Sequence, residues 1–343
     1  MKVLLTSSSM PDTIAWNYTR HLSNLKEVDL RPVHTFDLEE SSEQQKIGNK
    51  IIRRFYPKGM TRRVSQMLMD AVSKHKPDVL LVIKGMHIDP DLLMQIKGEG
   101  VYLVNYNPDH PIHFETKASG NQNILKGLRY YHLVCTYSPV IEQQLMSLHQ
   151  GFKTCIIPFG YSPSRYNDNA LEHVVLKKRV CFAGTADPYR AEQVKKLIQA
   201  GIEVDVYGAG YERWIKKTKG LTIFPGVFSD AYNELLQLYA VSLNLYRRQN
   251  QGSHNMRSFE IPAVGGIQVV ERSSQMAGFF KDGSEVFMYD SDGEWFEIIR
   301  DLLARSDNIL LHMKDQIRSK TLQSGYSYAD RAKELLKAIQ SNI

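Results

Sequence analysis

The sequence is poor in cysteine and in long apolar runs, and both shortages exclude classes of protein. It contains 3 cysteines, Cys135, Cys155 and Cys181, which form no CxxC pair. This fits a reducing compartment better than a disulfide framework. No stretch approaches the roughly 18 apolar residues of a membrane-spanning helix, and the apolar run Val3 to Leu5 is too short for a signal-peptide core. We therefore expect a soluble, cytoplasmic protein that is at most peripheral to a membrane.

A strong charge of one sign is also lacking. The formal net charge of +6 permits an anionic ligand or a membrane surface and requires neither. Because no aromatic-rich basic ribbon or finger motif accompanies it, nucleic-acid binding is disfavoured. Hydrophobic residues make up 43% of the chain and charged residues 23%, which is typical of a globular protein. At roughly 100–200 residues per domain, the 343 residues predict about two domains.

Short β-branched runs alternate with helical segments in two series. The first series covers residues 1–160, the second covers residues 175–325, and a final helix covers residues 326–343. Between the series, residues 158–178 contain prolines and show no periodicity, which indicates a linker. Alternating strands and helices predict parallel sheets with helices on both faces. The fold class is therefore α/β, with two Rossmann-like domains facing each other and a ligand beyond the carboxyl ends of the strands.

The most informative segment is Asn255–Gly266, which reads NMRSFEIPAVGG. Free backbone N–H groups at the start of a short helix there can receive phosphate oxygens, and Arg257 adds a forked positive charge at the same end. Glu260 follows after almost one turn, where its carboxylate can accept two hydroxyls of a ribose or a sugar. The alternative interpretation is an ordinary amphipathic helix with Phe259 and Ile261 directed inward.

This segment resembles the nucleotide-sugar site of glycosyltransferases with the GT-B fold. It is most similar to their spore-maturation-type (CgeB-like) branch, which has the pattern Asn-x-Arg-x-Phe-Glu…Ala-x-Gly-Gly. Further segments that agree with the family in order are Phe182–Thr185, Val206–Gly210, Pro225–Phe228 and Ser327–Arg331. The resemblance covers about residues 180–340 well and the first domain loosely. It implies a GT-B fold whose final helix crosses back onto the first domain, and a hexosyltransferase-like activity that moves a sugar from a nucleotide diphosphate sugar to a hydroxyl acceptor.

The resemblance also implies a donor-binding set, which is Asn255, Arg257, Ser258, Glu260, Arg190, Gly184, Gly208 and Phe228. Arg190 is expected to be a second diphosphate contact, with a surface arginine as the alternative. Val227 and Phe228 are expected to hold the nucleobase by backbone bonds and stacking, with a core phenylalanine as the alternative. The donor is the substrate, and the family implies neither a metal nor a further cofactor.

Two expected patterns are incomplete. Many retaining relatives carry two glutamates eight positions apart, whereas here Gly252 occupies the first position and only Glu260 is present. Retention or inversion of the sugar therefore stays open. Gly208 and Gly210 begin a dinucleotide fingerprint, but Arg213 stands where its third glycine belongs. A nicotinamide cofactor is accordingly disfavoured.

The loop Tyr106–Pro111 follows a predicted strand in the first domain. Its Asp109 and His110 are the candidates for the general base that takes the proton of the acceptor hydroxyl. The alternative is a plain turn, because Asn, Pro and Asp are turn formers. His87 is a second candidate base. A metal held by this loop and His113 is disfavoured, since no further His or Cys cluster completes a coordination shell.

Apolar residues at helical spacing in Lys46–Arg63 are surrounded by lysines and arginines. Such a basic amphipathic helix can lie on an anionic membrane, where a lipid-linked acceptor would be found. The alternative is an ordinary domain helix with a solvated basic face. For the whole chain, the second hypothesis is a non-catalytic two-domain protein that binds a nucleotide or a sugar.

Overall fold

The computed structural model describes residues 1–37, 57–114, 119–148, 151–162, 175–247 and 252–343. The chain divides into two compact units. Unit 1 consists of Met1–Pro158 and Tyr328–Ile343, and unit 2 consists of Phe159–Ser327. Each unit is built on one sheet of six parallel strands.

The sheet of unit 1 has the spatial order β2-β1-β3-β4-β5-β6. Its strands are β1 (Lys2–Thr6), β2 (Asp29–Val33), β3 (Val79–Ile83), β4 (Tyr102–Asn107), β5 (Leu133–Thr136) and β6 (Lys153–Ile156). The helices between them are α1 (Ile14–Leu22), α2 (Pro57–His75), α3 (Pro90–Gly98), α4 (Gln122–Gly127) and α5 (Pro139–Leu148). Every residue of β3 is buried, as expected of an apolar strand in the middle of a sheet that helices cover on both faces.

The sheet of unit 2 has the order β12-β11-β10-β7-β8-β9. Its strands are β7 (Lys177–Ala183), β8 (Val204–Tyr207), β9 (Leu221–Phe224), β10 (Tyr239–Asn244), β11 (Gln268–Glu271) and β12 (Phe287–Tyr289). The helices are α6 (Pro188–Gln199), α7 (Ser229–Leu238), α8 (Arg257–Ala263), α9 (Ser274–Phe279), α10 (Asp292–Ala304) and α11 (Asp307–Gln323). The apolar core lies on both faces of this sheet, and β10 is buried throughout.

The last helix, α12 (Tyr328–Gln340), returns to unit 1. It packs against α1, and the ring of Tyr328 meets the ring of Tyr18 edge-on at 5.9 Å between centroids. Ala332, Leu335 and Ile339 are buried in the same core as strands β1 and β3. The crossing of the final helix back onto the first domain is therefore confirmed.

The α/β prediction is confirmed in both units, because each predicted strand is present and lies in a parallel sheet. The three cysteines lie on strands and are free; Cys135 and Cys181 are buried and Cys155 is half-buried. None of the described helices combines the length and the apolar character needed to cross a membrane. Of the basic segment 46–63, residues 46–56 lie outside the described residues and the rest belong to α2.

Candidate functional site

The turns that follow β7 and β8 lie directly against each other at the carboxyl edge of the unit 2 sheet. The Gly184 N–H donates to the Tyr207 carbonyl at 2.9 Å, and the Ala186 N–H donates to the Ala209 carbonyl at 3.1 Å. A Cβ on Gly208 would lie 2.1 Å from the Gly184 carbonyl oxygen, well inside contact distance. Gly208 is therefore required for the close approach of the two turns.

Replacing Gly208 with alanine should destabilise unit 2 by about 3 kcal/mol, because a backbone segment must move to admit the methyl group. Urea unfolding of the purified chain measures this effect. The matched control is Gly278→Ala in α9, where a Cβ would meet nothing within 4 Å. That control should be neutral or stabilising by about 0.5–1 kcal/mol. Equal unfolding free energies for the two variants would contradict the structural role of Gly208.

Arg190 lies in the first turn of α6 and is 4% exposed. Its guanidinium donates to the Leu245 carbonyl through Nε at 3.2 Å and Nη2 at 3.0 Å, and to the Thr185 carbonyl through Nη1 at 3.2 Å. Burial and the neighbouring charge of Arg257 lower the pKa of Arg190 to about 10. Arg190 thus ties the turn after β7 to the end of β10, and the loss of these bonds would disturb both.

Asn255 and Ser258 belong to a buried amide and hydroxyl network. The Asn255 and Asn244 side-chain amides donate to each other at 2.8 and 3.2 Å, and Asn244 also donates to Ser258 Oγ at 3.2 Å. Asn244 Nδ2 also lies 2.9 Å from Gln268 Oε1, so its two hydrogens are shared among three acceptors. These bonds fix the start of α8 against β10 and β11. The structure therefore gives Asn255 and Ser258 protein partners beneath the site.

The start of α8 differs from the sequence-based expectation of free N–H groups. The Ser258 N–H donates to Asn255 Oδ1 at 3.0 Å, and the N–H groups of Phe259 and Glu260 donate to the Met256 carbonyl at 3.0 and 3.1 Å. These three N–H groups are thus occupied inside the protein. Recognition of a phosphate at this helix would therefore use the N–H groups that precede Ser258 and the Arg257 side chain.

Arg257, the first residue of α8, is half-buried. Its Nε is buried and has no hydrogen-bond partner among the described residues. Burial raises the pKa of Tyr232 on α7, and the nearby charge of Arg257 opposes this rise, whereas Glu260 adds to it. Tyr232 therefore lies close to both charged side chains. A half-buried arginine at the carboxyl edge of the sheet is suited to binding an anion.

Arg247 and Tyr211 join this group and were missed from the sequence. Burial lowers the pKa of Arg190, and the nearby charge of Arg247 adds to this effect. Arg247 lies three residues beyond β10 and is half-buried. Tyr211 is fully buried, and burial raises its pKa, whereas the positive charges of Arg190 and Arg257 oppose this rise. The position of Arg247 just after a predicted strand was the available signal. Three arginines therefore gather at this edge of the sheet.

Phe228 lies at the end of the loop between β9 and α7. It is 80% exposed, which contradicts the alternative of a core phenylalanine. Ser229, which follows it, has a φ of 58°, a left-handed conformation that turns the chain into α7. An exposed aromatic ring is available for stacking on a planar group.

In unit 1, Asp109 lies just beyond β4 and pairs with Lys84 just beyond β3. The Lys84 Nζ and Asp109 Oδ2 are 2.7 Å apart. Lys84 and Gly85 have φ values of 62° and 97°, so the chain turns through two consecutive left-handed residues at the end of β3. Such a conformation costs of order 1–3 kcal/mol at a non-glycine residue and is often found at functional sites. The carboxylate is half-buried and is held by this ammonium.

His110 is buried, and its ring serves the loop backbone. Its Nδ1 accepts the N–H groups of Ile112 at 3.3 Å and His113 at 3.1 Å. Burial and the adjacent His113 lower the pKa of His110, whereas Gln144 opposes this. The ring is thus neutral with its proton on Nε2, so it has no free lone pair for a further proton. Of the two candidate bases, the geometry favours Asp109.

The remaining sequence candidates lie near this loop. His87 is half-buried in the turn that follows Gly85. Across the described parts of the chain, no group of three His, Cys, Asp or Glu side chains is placed to hold a metal ion.

Lys314 of α11 supports the donor-site helix from within the core. It is fully buried, and its Nζ donates to the carbonyls of Leu236 at 3.0 Å and Gly265 at 3.4 Å. Gly265 forms the turn from α8 into β11 with a φ of 81°. Burial lowers the pKa of Lys314 to about 7, whereas Cys181 opposes this. The Lys314 ammonium therefore stabilises the turn after α8 by hydrogen bonds, while its burial away from water opposes the charged form.

The stability difference between wild type and Lys314→Met should depend on pH. Between pH 7 and 10.5 the unfolded lysine keeps a proton that the folded lysine releases, so the wild type gains stability as pH rises. We expect the difference to shift toward the wild type by about 4 kcal/mol from neutral to strongly alkaline pH. Urea unfolding of both proteins across this range measures it. Lys281→Met, at an exposed position, is the control. A stability difference from wild type that does not change with pH for Lys314→Met, as expected for Lys281→Met, would contradict the effect.

Part of the chain matches a known protein family. Residues 190–337 match the glycosyl transferase-like family. The matched segment is less than half of the chain, and it contains Arg190, Arg257 and Glu260. No curated protein sequence matches the chain.

Solved structures resemble the chain over its whole length. Sucrose-phosphate synthase of Thermosynechococcus elongatus has a TM-score of 0.68 at 10% identity, covering 99% of this chain and 98% of that one. HepE of Anabaena in complex with UDP-glucose has a TM-score of 0.64 at 12% identity, covering 99% and 100%. UDP-GlcNAc 2-epimerase of Neisseria meningitidis, bound to UDP-GlcNAc, has a TM-score of 0.55 at 11% identity, covering 100% of both chains. At these identities the likeness shows the fold, which is GT-B, as the sequence predicted.

Proposed function

We propose that this chain is a glycosyltransferase that moves a sugar from a nucleotide diphosphate sugar to a hydroxyl group of an acceptor. One observation carries the proposal. Arg257 and Glu260 lie beside Tyr232 at the carboxyl edge of the unit 2 sheet, inside the segment that matches the glycosyl transferase-like family. In open α/β sheets this edge is where ligands bind. Negative charge builds on the leaving diphosphate during transfer, and preformed positive groups there lower the barrier.

Each part of the nucleotide diphosphate sugar has a side chain suited to bind it. The half-buried Arg257 and Arg247 would bind diphosphate oxygens, while Arg190 holds the surrounding turns. The exposed ring of Phe228 would stack on the nucleobase. Glu260 would accept hydroxyls of the ribose or the sugar. Gly184 and Gly208 contribute the close-packed turns beneath the donor.

The acceptor would bind to unit 1, with Asp109 as the general base. A carboxylate there can take the proton of the acceptor hydroxyl as the oxygen attacks the anomeric carbon and the sugar–phosphate bond breaks. We further propose that transfer is hexosyl transfer, that it is metal-independent because arginines meet the diphosphate charge, and that the chain belongs to the spore-maturation-type branch. A glycan, a lipid-linked molecule and a small molecule are all acceptor classes consistent with a hydroxyl nucleophile.

The test is a panel of UDP-, GDP-, ADP- and TDP-sugars with the purified chain. Thermal shift identifies the donor, and release of the nucleoside diphosphate measures turnover. We expect stabilisation by one nucleotide class and slow donor hydrolysis or transfer that persists when EDTA is present. Nucleotide affinity without turnover, unaffected by Asp109→Ala, would favour a non-catalytic binder. Conversion of the sugar without its transfer would favour an isomerase of the same fold.

A further inference from the structure

The loop between β8 and β9 presents an exposed tryptophan. Trp214 is 45% exposed, whereas Trp295 in the core of the same unit is fully buried. A large apolar ring in water is unfavourable, by roughly 25 cal/mol per Å² of apolar surface. A single exposed ring is common on protein surfaces, so what distinguishes Trp214 is the charge of the residues beside it in the chain.

The fold holds Trp214 in this exposed position. Its neighbours Tyr211 and Ile215 are buried in the core of unit 2. The N–H groups of Trp214 and Ile215 both donate to the Tyr211 carbonyl at 2.9 Å, and a short 3-10 helix covers Tyr211–Arg213. The loop thus has two apolar anchors, and the tryptophan between them is directed outward by its backbone.

Four cationic residues lie within five positions of Trp214 in the chain. Arg213, Lys216, Lys217 and Lys219 are all exposed, and Glu212 is the single acidic residue between Tyr211 and Gly220. Among the described residues, none of these four takes part in an ion pair. By contrast, Arg179 on β7 pairs with both Glu203 and Asp205. The loop therefore combines an uncovered aromatic ring with unneutralised positive charge.

We propose that this loop, Arg213–Lys219, docks unit 2 on an anionic lipid bilayer. Tryptophan is enriched where an apolar body meets the headgroup layer, and lysines nearby bind anionic headgroups. A combination of an inserted apolar group and a basic cluster gives stable yet reversible attachment, which either group alone does not. Single-stranded nucleic acid fits less well, since one aromatic ring provides no series of stacking platforms.

The inference is independent of the proposed transferase activity, because it rests on surface groups outside the donor site. It concerns a different segment from residues 46–63. Membrane docking would bring the enzyme to lipid-linked acceptors, so the two proposals are compatible without requiring each other.

Vesicle flotation of the full chain tests the proposal, with phosphatidylcholine alone and with phosphatidylglycerol added. We expect binding to the anionic vesicles that weakens as salt is raised. The variant Lys216→Gln/Lys217→Gln/Lys219→Gln should partition about 100-fold less, since each cation near such a surface contributes about fivefold. The matched control is Lys26→Gln/Lys74→Gln/Lys153→Gln, which removes the same charge from exposed positions elsewhere. It should bind nearly as well as wild type.

The ring is tested separately with brominated lipid. Bound wild type should show quenched tryptophan fluorescence, and Trp214→Phe should lose most of that quenching. Unchanged melting temperatures establish that each variant is folded. Equal vesicle binding by the patch variant and the control variant would overturn the proposal. So would wild type that binds single-stranded RNA and no vesicles, which would identify a nucleic-acid surface instead.

Discussion

Arg257→Ala should weaken donor binding by about 100-fold or more, which corresponds to about 2.7 kcal/mol. Arg257 has a buried Nε without a partner among the described residues, whereas the Arg190 guanidinium is already bonded to two carbonyl oxygens. Charge-assisted hydrogen bonds to a diphosphate are among the strongest that a protein makes, and alanine removes them together with the charge. Calorimetric titration with the nucleotide identified in the donor panel measures the loss.

Two further variants make this result specific. Arg257→Lys keeps the positive charge but loses the planar guanidinium that can bind two oxygens at once. Its affinity for the sugar donor should therefore lie between those of wild type and Arg257→Ala. Arg213→Ala removes an exposed arginine from the same unit and should leave donor affinity unchanged. Arg190→Ala should lower the unfolding free energy in addition, because its bonds to the Leu245 and Thr185 carbonyls are lost. Donor affinity and turnover that survive Arg257→Ala would place the diphosphate elsewhere.

The fold was predictable because a parallel sheet imposes a local signature. A strand such as β3 is buried on both faces, so its whole sequence is apolar, and helices must follow to reach the next parallel strand. The return of the final helix to unit 1 was not readable from periodicity. It followed from the resemblance, since the position of Tyr328 against Tyr18 joins residues at opposite ends of the chain.

The site was predictable only in part. Arg257 and Glu260 were recognised because they stand in one short motif, and the structure places both beside Tyr232. Partners supplied by distant strands are invisible in that motif. The Asn255 side chain donates a hydrogen bond to Asn244 on β10, and Lys314 on α11 donates to the Gly265 carbonyl in the turn after α8. A residue type therefore indicates what a side chain is able to bind, but the tertiary neighbours decide which of its atoms remain available.

Asp109→Asn should lower the turnover number by about 10²–10⁴-fold while the donor affinity stays within about twofold. The amide matches the size of the carboxylate but takes up no proton, and Asp109 lies in unit 1, away from the unit 2 donor residues in the chain. Steady-state kinetics with saturating donor give the turnover number, and titration with the nucleotide gives the affinity. Asp91→Asn, at an exposed position of unit 1, is the control for a general effect of charge.

Lys84→Met separates a catalytic role of Asp109 from a structural one. This variant breaks the 2.7 Å pair with Asp109 but keeps the carboxylate in the protein. If Asp109 is the base, Lys84→Met should retain far more activity than Asp109→Asn, because the group that takes the proton is still present. If the pair serves only to hold the loop beyond β4, both variants lose activity equally and both lower the melting temperature. An equal loss of activity together with equally lowered melting temperatures would therefore assign Asp109 a structural role and direct the search for the base to the other polar side chains of unit 1.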